Sequence, residues 1–101
     1  MIKGRLLKRK YDLEERTAVF AESIVVLVRQ IKADHVNKSI ISQLVRSAGS
    51  IGANYKEATE AESKKDFIHK VSISKKEIKE TQHWLRLVPQ RPKLLHLIIE
   101  P

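Results

Sequence analysis

RSAGSIGANYKEA, residues 46–58, decides how this chain folds. Gly49 and Gly52 stand three apart in a run that otherwise reads as helix. A dinucleotide fingerprint needs G-x-G-x-x-G between a strand and a helix, and a P-loop needs G-K-[ST]. Neither is present, because no third glycine follows and Gly52 precedes Ala53. A KH domain uses a G-x-x-G loop against a sheet, and this chain offers no convincing strand. The helical reading has a mechanism. Glycine costs about 1 kcal/mol against alanine inside a helix, a cost that makes sense where a missing side chain admits another backbone. Gly52 falls on the apolar face with Ala48 and Tyr55. Ala48, Gly49, Gly52 and Ala53 together predict a saddle for a tight helix crossing. Arg46, Ser50, Asn54 and Glu57 fall on the opposite side, either as a solvated face or as a polar subunit or ligand surface.

Outward from this stretch, the same periodicity repeats. At about 100° per residue, Leu13, Thr17, Phe20, Ile24, Leu27, Val28 and Ile31 share one face, predicting a helix over 12–33. Asp12 with Glu15 gives it a capping-box-like start. Val19 and Val26 lie on another face, either as surface valines or as part of a subunit contact. Asn37 reads as the N-cap of a second helix over 38–60. Ser63 with Asp66 caps a third over 63–88, whose seam holds Phe67, Val71, Ser74, Ile78, Thr81 and Leu85. Pro89 ends or kinks that helix. Pro92 then stands near the first position of a short fourth helix over 92–99. Residues 1–11 read as a basic, loosely docked arm containing Lys8, Arg9 and Lys10. The expected architecture is all-α: one domain, an antiparallel up-down four-helix bundle with three long helices and a short fourth.

Composition narrows the function. There are 20 Lys and Arg against 12 Asp and Glu, a formal charge of +8. Such a balance favours polyanions, namely RNA, DNA or an anionic membrane surface. With no cysteine, disulfides, thiolate metal sites and a cysteine nucleophile are excluded, which fits a reducing cytoplasm. The longest apolar run, SIVVLV, is too short to cross a bilayer. His35, His69, His83 and His96 lack metal-site spacing. Ser63 has no base placed with it, so it reads as a cap rather than a nucleophile. The expectation is a non-enzyme without metal or cofactor.

The charge is also clustered. Lys64, Lys75, Lys79 and Arg86 project in one narrow sector of the third helix, with Lys65 and Lys76 beside them. A stripe of this kind suits phosphates without regard to sequence, and the N-terminal cations would add to it. Glu77 and Glu80 can pair with neighbours and neutralise part of it. Tyr11, Tyr55 and Trp84 are too scattered for a base-stacking platform. Trp84 shares a second apolar face with Ile73 and Leu87, which predicts packing against a fourth helix or another subunit.

The residues that define these helices also carry a resemblance. ISQLVRSAGSIGANYKEATEAESKKDFIHKVSISKKEIKETQHWLRL, residues 41–87, with KYDLEERTAVFAESI, residues 10–24, resembles the four-helix bundle family of the bacterial 23S rRNA intervening-sequence proteins. The pattern QLxRSxxSIxxNxxEA followed by ESKKDFxxKxxIxxKExxETxxWL is long and specific, and the likeness covers about the first 87 residues. The resemblance implies a small cytoplasmic protein that forms ring-shaped homopentamers and carries no catalytic residues. The related accessory protein of diversity-generating retroelements is a basic pentameric barrel that binds nucleic acid and a reverse transcriptase. Arg46, Asn54, Glu57, Ser63, Lys64, Lys65 and Phe67 match the pattern here. After Leu87 the chain departs from it, because family members usually continue into a long fourth helix. Two functions follow as expectations. One is an oligomer binding nucleic acid through phosphates, and the other is a scaffold whose main ligand is another protein.

Overall fold

In the computed structural model the backbone is described for residues 2–88 and the side chains for residues 12–88. Three helices account for nearly all of it: α1 (Ile2–Arg29), α2 (Asn37–Thr59) and α3 (Lys64–Leu87). No strand occurs among the described residues. The expected fourth helix over 92–99 lies outside them.

α2 is the central element. Both α1 and α3 pack along it and barely touch one another. The core is densest where the end of α1, the start of α2 and the end of α3 meet. There Ile24, Leu27, Ile31, Leu44, Ala48, Leu85 and Val88 are buried together, with Phe20, Ile41 and Trp84 against their margin. The expected apolar faces of the three helices therefore all turn inward at this end. Along the α2–α3 seam buried hydroxyls stand among the apolar residues. Ser74 donates to the Ile51 carbonyl at 2.9 Å, and the Thr81 hydroxyl lies 2.9 Å from Ser47 Oγ and 2.7 Å from the Glu77 carbonyl. Such groups cost little in a core only when each finds a partner, and every buried side-chain N or O among the described residues has one.

The helix boundaries correct three expectations. α1 begins at Ile2 rather than at Asp12, so residues 2–11 are its first turns and not a separate arm. Leu, Lys and Arg are good helix formers. Extending an existing helix also avoids the cost of a new nucleus. Asp12 consequently sits inside the helix, where it pairs with Arg16 at 3.7 Å. α1 stops at Arg29, short of residue 33, because the polar connection has its own bonding. Asn37 donates from Nδ2 to the Lys32 carbonyl and accepts from the Asp34 amide. Asn37 therefore does not cap α2 with its side chain. Asp34 does so from three residues earlier, its Oδ1 accepting from the amides of Val36 and Asn37 at 2.8 Å. The third start is as expected, with Ser63 extended and its hydroxyl accepting from the Asp66 amide at 3.0 Å.

The two glycines separate. A Cβ on Gly52 would lie 3.0 Å from Thr17 Oγ1 and 3.2 Å from Thr17 Cβ, so α1 and α2 cross closely here. A Cβ on Gly49 would meet nothing within 4 Å. The saddle is thus narrower than the sequence implied. Ala48 and Gly52 form the crossing. Gly49 and Ala53 line an open trough of about 610 Å³ with Ala18, Ala21 and Lys56.

Candidate nucleic-acid interface on α3

α3 divides its charges by face. Lys64, Lys65, Lys75, Lys76, Lys79 and Arg86 are all exposed. At about 100° per residue they occupy the side turned away from the buried line of Ser74, Thr81 and Leu85. The helical rise of about 1.5 Å per residue spreads positions 64 to 86 over roughly 33 Å. Lys64, Lys65, Lys75, Lys76 and Lys79 form no ion pair with any described residue, and Arg86 has its own partner. Ile68, 57 % exposed, lies among them.

Two of the three α3 carboxylates, Glu77 and Glu80, are engaged by α2. Arg46 reaches across from α2 and donates from Nη2 to Glu80 Oε1 at 2.6 Å and from Nη1 to Glu77 Oε2 at 3.3 Å. Its Nε donates to Gln43 at 3.1 Å, which fixes the plane of the guanidinium. Trp84 Nε1 donates to the same Glu80 oxygen at 3.2 Å. The hydrogen bond from Arg46, and then the one from Trp84, hold the Glu80 carboxyl below its ordinary value. A second bridge links the helices where Lys70 Nζ meets Glu57 Oε2 at 3.1 Å. Glu77 and Glu80 are therefore paired with α2 and not with the α3 lysines, the one form of neutralisation the sequence had suggested.

The remaining candidate residues fall into place around this arrangement. Arg46 and Glu57 join α2 to α3, and Asn54 donates to the Ser50 carbonyl of its own helix at 2.8 Å. Trp84 packs against the core of its own chain, and the exposed His83 ring meets it edge-on with centroids 4.9 Å apart. Lys8, Arg9 and Lys10 belong to α1. They lie on the stretch that continues past α2, since Thr59, the last residue of α2, meets Glu14. Sequence reasoning missed the role of Gln43 and the bond from Arg46 to both carboxylates. Local spacing carries no signal for contacts between helices more than thirty residues apart in the chain.

Metal-binding clusters and membrane-spanning helices are absent among the described residues. No three His, Asp or Glu side chains gather to hold a metal ion. No helix is long and apolar enough to cross a membrane. Two grooves remain. One is the trough beside Gly49. The other, about 310 Å³, runs between α1 and α3 above Ile51 and is lined by Leu13, Phe20, Ile78 and Leu85.

Comparison with known proteins agrees with this architecture. No curated protein matches the sequence. A crystal structure of a protein of unknown function from the S23 ribosomal protein family, from Bacteroides thetaiotaomicron VPI-5482, superposes with a TM-score of 0.68 at 32% identity. The match covers 87% of this chain and 98% of that one. The sequence profile of the 23S rRNA-intervening sequence protein matches residues 9–94. The chain belongs to the 23S rRNA-intervening sequence protein family.

Proposed function

We propose that this is a non-enzymatic protein of the cytoplasm that binds nucleic acid through phosphate contacts along α3. One observation carries the reading: Lys64, Lys65, Lys75, Lys76 and Lys79 stand exposed and form no ion pair with any described residue, while Glu77 and Glu80 of the same helix are engaged by Arg46 of α2. Lysine ammonium groups are compact point charges that suit phosphate without demanding a fixed geometry. Neutralising phosphates releases counter-ions and makes binding steeply salt-dependent. No exposed Phe, Tyr or Trp among the described residues shares the lysine sector, which favours contact to the backbone over stacked bases. The test is fluorescence anisotropy with a labelled 20-base-pair RNA duplex. Replacing Lys75 and Lys79 by Glu is expected to abolish binding at 100 mM salt. Unchanged affinity would remove the stripe from consideration.

The apolar surface supports self-assembly as part of the same reading. Val19, Val26, Phe67 and Ile78 are all more than two-fifths exposed. The four-helix bundle that the family resemblance implies would cover the α1–α3 groove with a further helix. Phe67 and Val19 lie away from that groove's lining and suit a second copy of the chain, with a pentamer as the expected count from the family resemblance. Light scattering coupled to size exclusion tests this directly, and a strict monomer at all concentrations would contradict it. The alternative of a scaffold for another protein draws on the same apolar surface, and it predicts a partner complex that survives salt sufficient to erase nucleic-acid binding.

A further inference from the structure

Arg46 is costly to explain as a fastener. Its side chain is 46% exposed and that of Glu80 36%, with Glu77, at 16%, the more covered partner. Exposed ion pairs of this kind contribute little to stability. Yet one guanidinium engages two carboxylates of α3, and its own plane is fixed by Gln43. The Glu80 oxygen that it binds is held from the other side by the Trp84 indole. Glu80 is thereby pinned toward α2. Its neighbour four residues earlier, Lys76, makes no ion pair with any described residue. On an uncommitted helix surface, a lysine and a glutamate at this spacing attract one another.

From this geometry we infer that Arg46 is a positioning residue for the polyanion face. By holding Glu77 and Glu80 at the α2 edge, it leaves Lys75, Lys76 and Lys79 available to phosphate. The inference rests on the nucleic-acid reading above, but it assigns a distinct task to a residue outside the lysine stripe. Arg46 acts through the two carboxylates and not by touching the ligand. Without it, Glu80 turns to Lys76 and one phosphate contact is lost. At 0.1 M salt, one contact corresponds to about 8-fold in affinity, and the slope of log K against log salt falls by about 0.9.

A double-mutant cycle tests this, using the labelled 20-base-pair RNA duplex as the probe and circular dichroism to confirm that each variant is helical. Arg46→Gln is expected to weaken binding about 8-fold. Glu80→Gln alone should leave affinity within about two-fold of wild type, because that carboxylate is already engaged; its amide oxygen can still accept from Trp84. Arg46→Gln/Glu80→Gln should return to near wild-type affinity. The coupling is the readout, since independent sites add. An equal gain from Glu80→Gln in both backgrounds would mean only long-range charge and would overturn the inference. Failure of Glu80→Gln to rescue Arg46→Gln would place Arg46 on the phosphate itself and would also overturn it. In a Lys76→Gln background, Arg46→Gln should have little further effect. If wild type itself ignores the duplex at low salt, the functional reading fails and this inference with it. If wild type binds and the cycle is additive, only the role of Arg46 fails.

Discussion

Substituting alanine at the two glycines of α2 tests the packing account at single-atom resolution. Both glycines lie inside a helix, so alanine at either gains about 1 kcal/mol of intrinsic propensity. At Gly49 a Cβ would meet nothing within 4 Å, and that gain should appear nearly whole, about 0.5–1 kcal/mol. At Gly52 the new methyl would sit 3.0 Å from Thr17 Oγ1 and 3.2 Å from Thr17 Cβ. These are the hydroxyl and branch-point atoms of a β-branched side chain whose hydroxyl donates to the Glu14 carbonyl at 3.0 Å. Cβ is fixed to the α1 backbone, and turning Oγ1 away would break its bond to Glu14, so Thr17 has to give by a few tenths of an ångström at a cost. Overpacking of this kind costs about 1–3 kcal/mol, which cancels or reverses the propensity gain. Urea denaturation followed by helical circular dichroism should therefore place Gly49→Ala above wild type and Gly52→Ala at or below it. The two should differ by about 1 kcal/mol or more, or about 4–8 °C in Tm for a domain of this size. Gly52→Leu should fall well below both. If Gly52→Ala is stabilised as much as Gly49→Ala, the close approach of α1 to α2 at this point is wrong.

Other perturbations address separate parts of the structure. Leu44→Ala removes a fully buried side chain from the core and should cost about 2–5 kcal/mol in the same denaturation assay. Ser63→Ala removes the hydroxyl that accepts the Asp66 amide and should cost about 1 kcal/mol, as should Asp34→Ala, which leaves the amides of Val36 and Asn37 without their acceptor. The Glu80 carboxyl is held below its ordinary value by Arg46 and Trp84. A lowered folded value means that its contribution is present above the unfolded value and is lost as pH falls through the folded one. Carboxyl NMR titration should therefore show Glu80 protonating below the ordinary glutamate range and returning toward it in Arg46→Gln. A Glu80 that titrates alike in both proteins would dissolve the clamp.

What was legible in the sequence was whatever depends on local spacing. The periodic residues Leu44, Ala48 and Ile51 of α2 and Ser74, Thr81 and Leu85 of α3 are buried as expected, whereas Phe67 and Ile78 of the same α3 face are exposed; Ser63 with Asp66 located the start of α3 to the residue. The stretch 46–58 was read correctly as helix rather than as a phosphate loop, and Gly52 as a packing glycine. Gly49 was misread because the wheel places it only one position away from the crossing; whether a neighbour fills that space depends on the path of α1, which no local pattern encodes. The start of α1 was misplaced because Asp12 and Glu15 have the form of a cap, yet nothing before them stops a helix from continuing. Asp34 was overlooked in favour of Asn37 because both are good capping residues, and the choice is settled by the bonds Asn37 makes back to Lys32 and Asp34. The lysine sector of α3 was visible from spacing alone. That Glu77 and Glu80 pair with α2 was not, because their partner Arg46 lies in a different helix.

The central claim is that phosphate binding belongs to the exposed lysines of α3. It is tested most directly by the salt dependence of binding to a 20-base-pair RNA duplex between 50 and 200 mM. If Lys64, Lys75, Lys76 and Lys79 each engage one phosphate, the slope of log K against log salt is about −3.6 and affinity falls about 150-fold over that range. Lys75→Ala/Lys79→Ala should halve the slope to about −1.8. A slope near zero, or one that the double substitution leaves unchanged, would contradict the account.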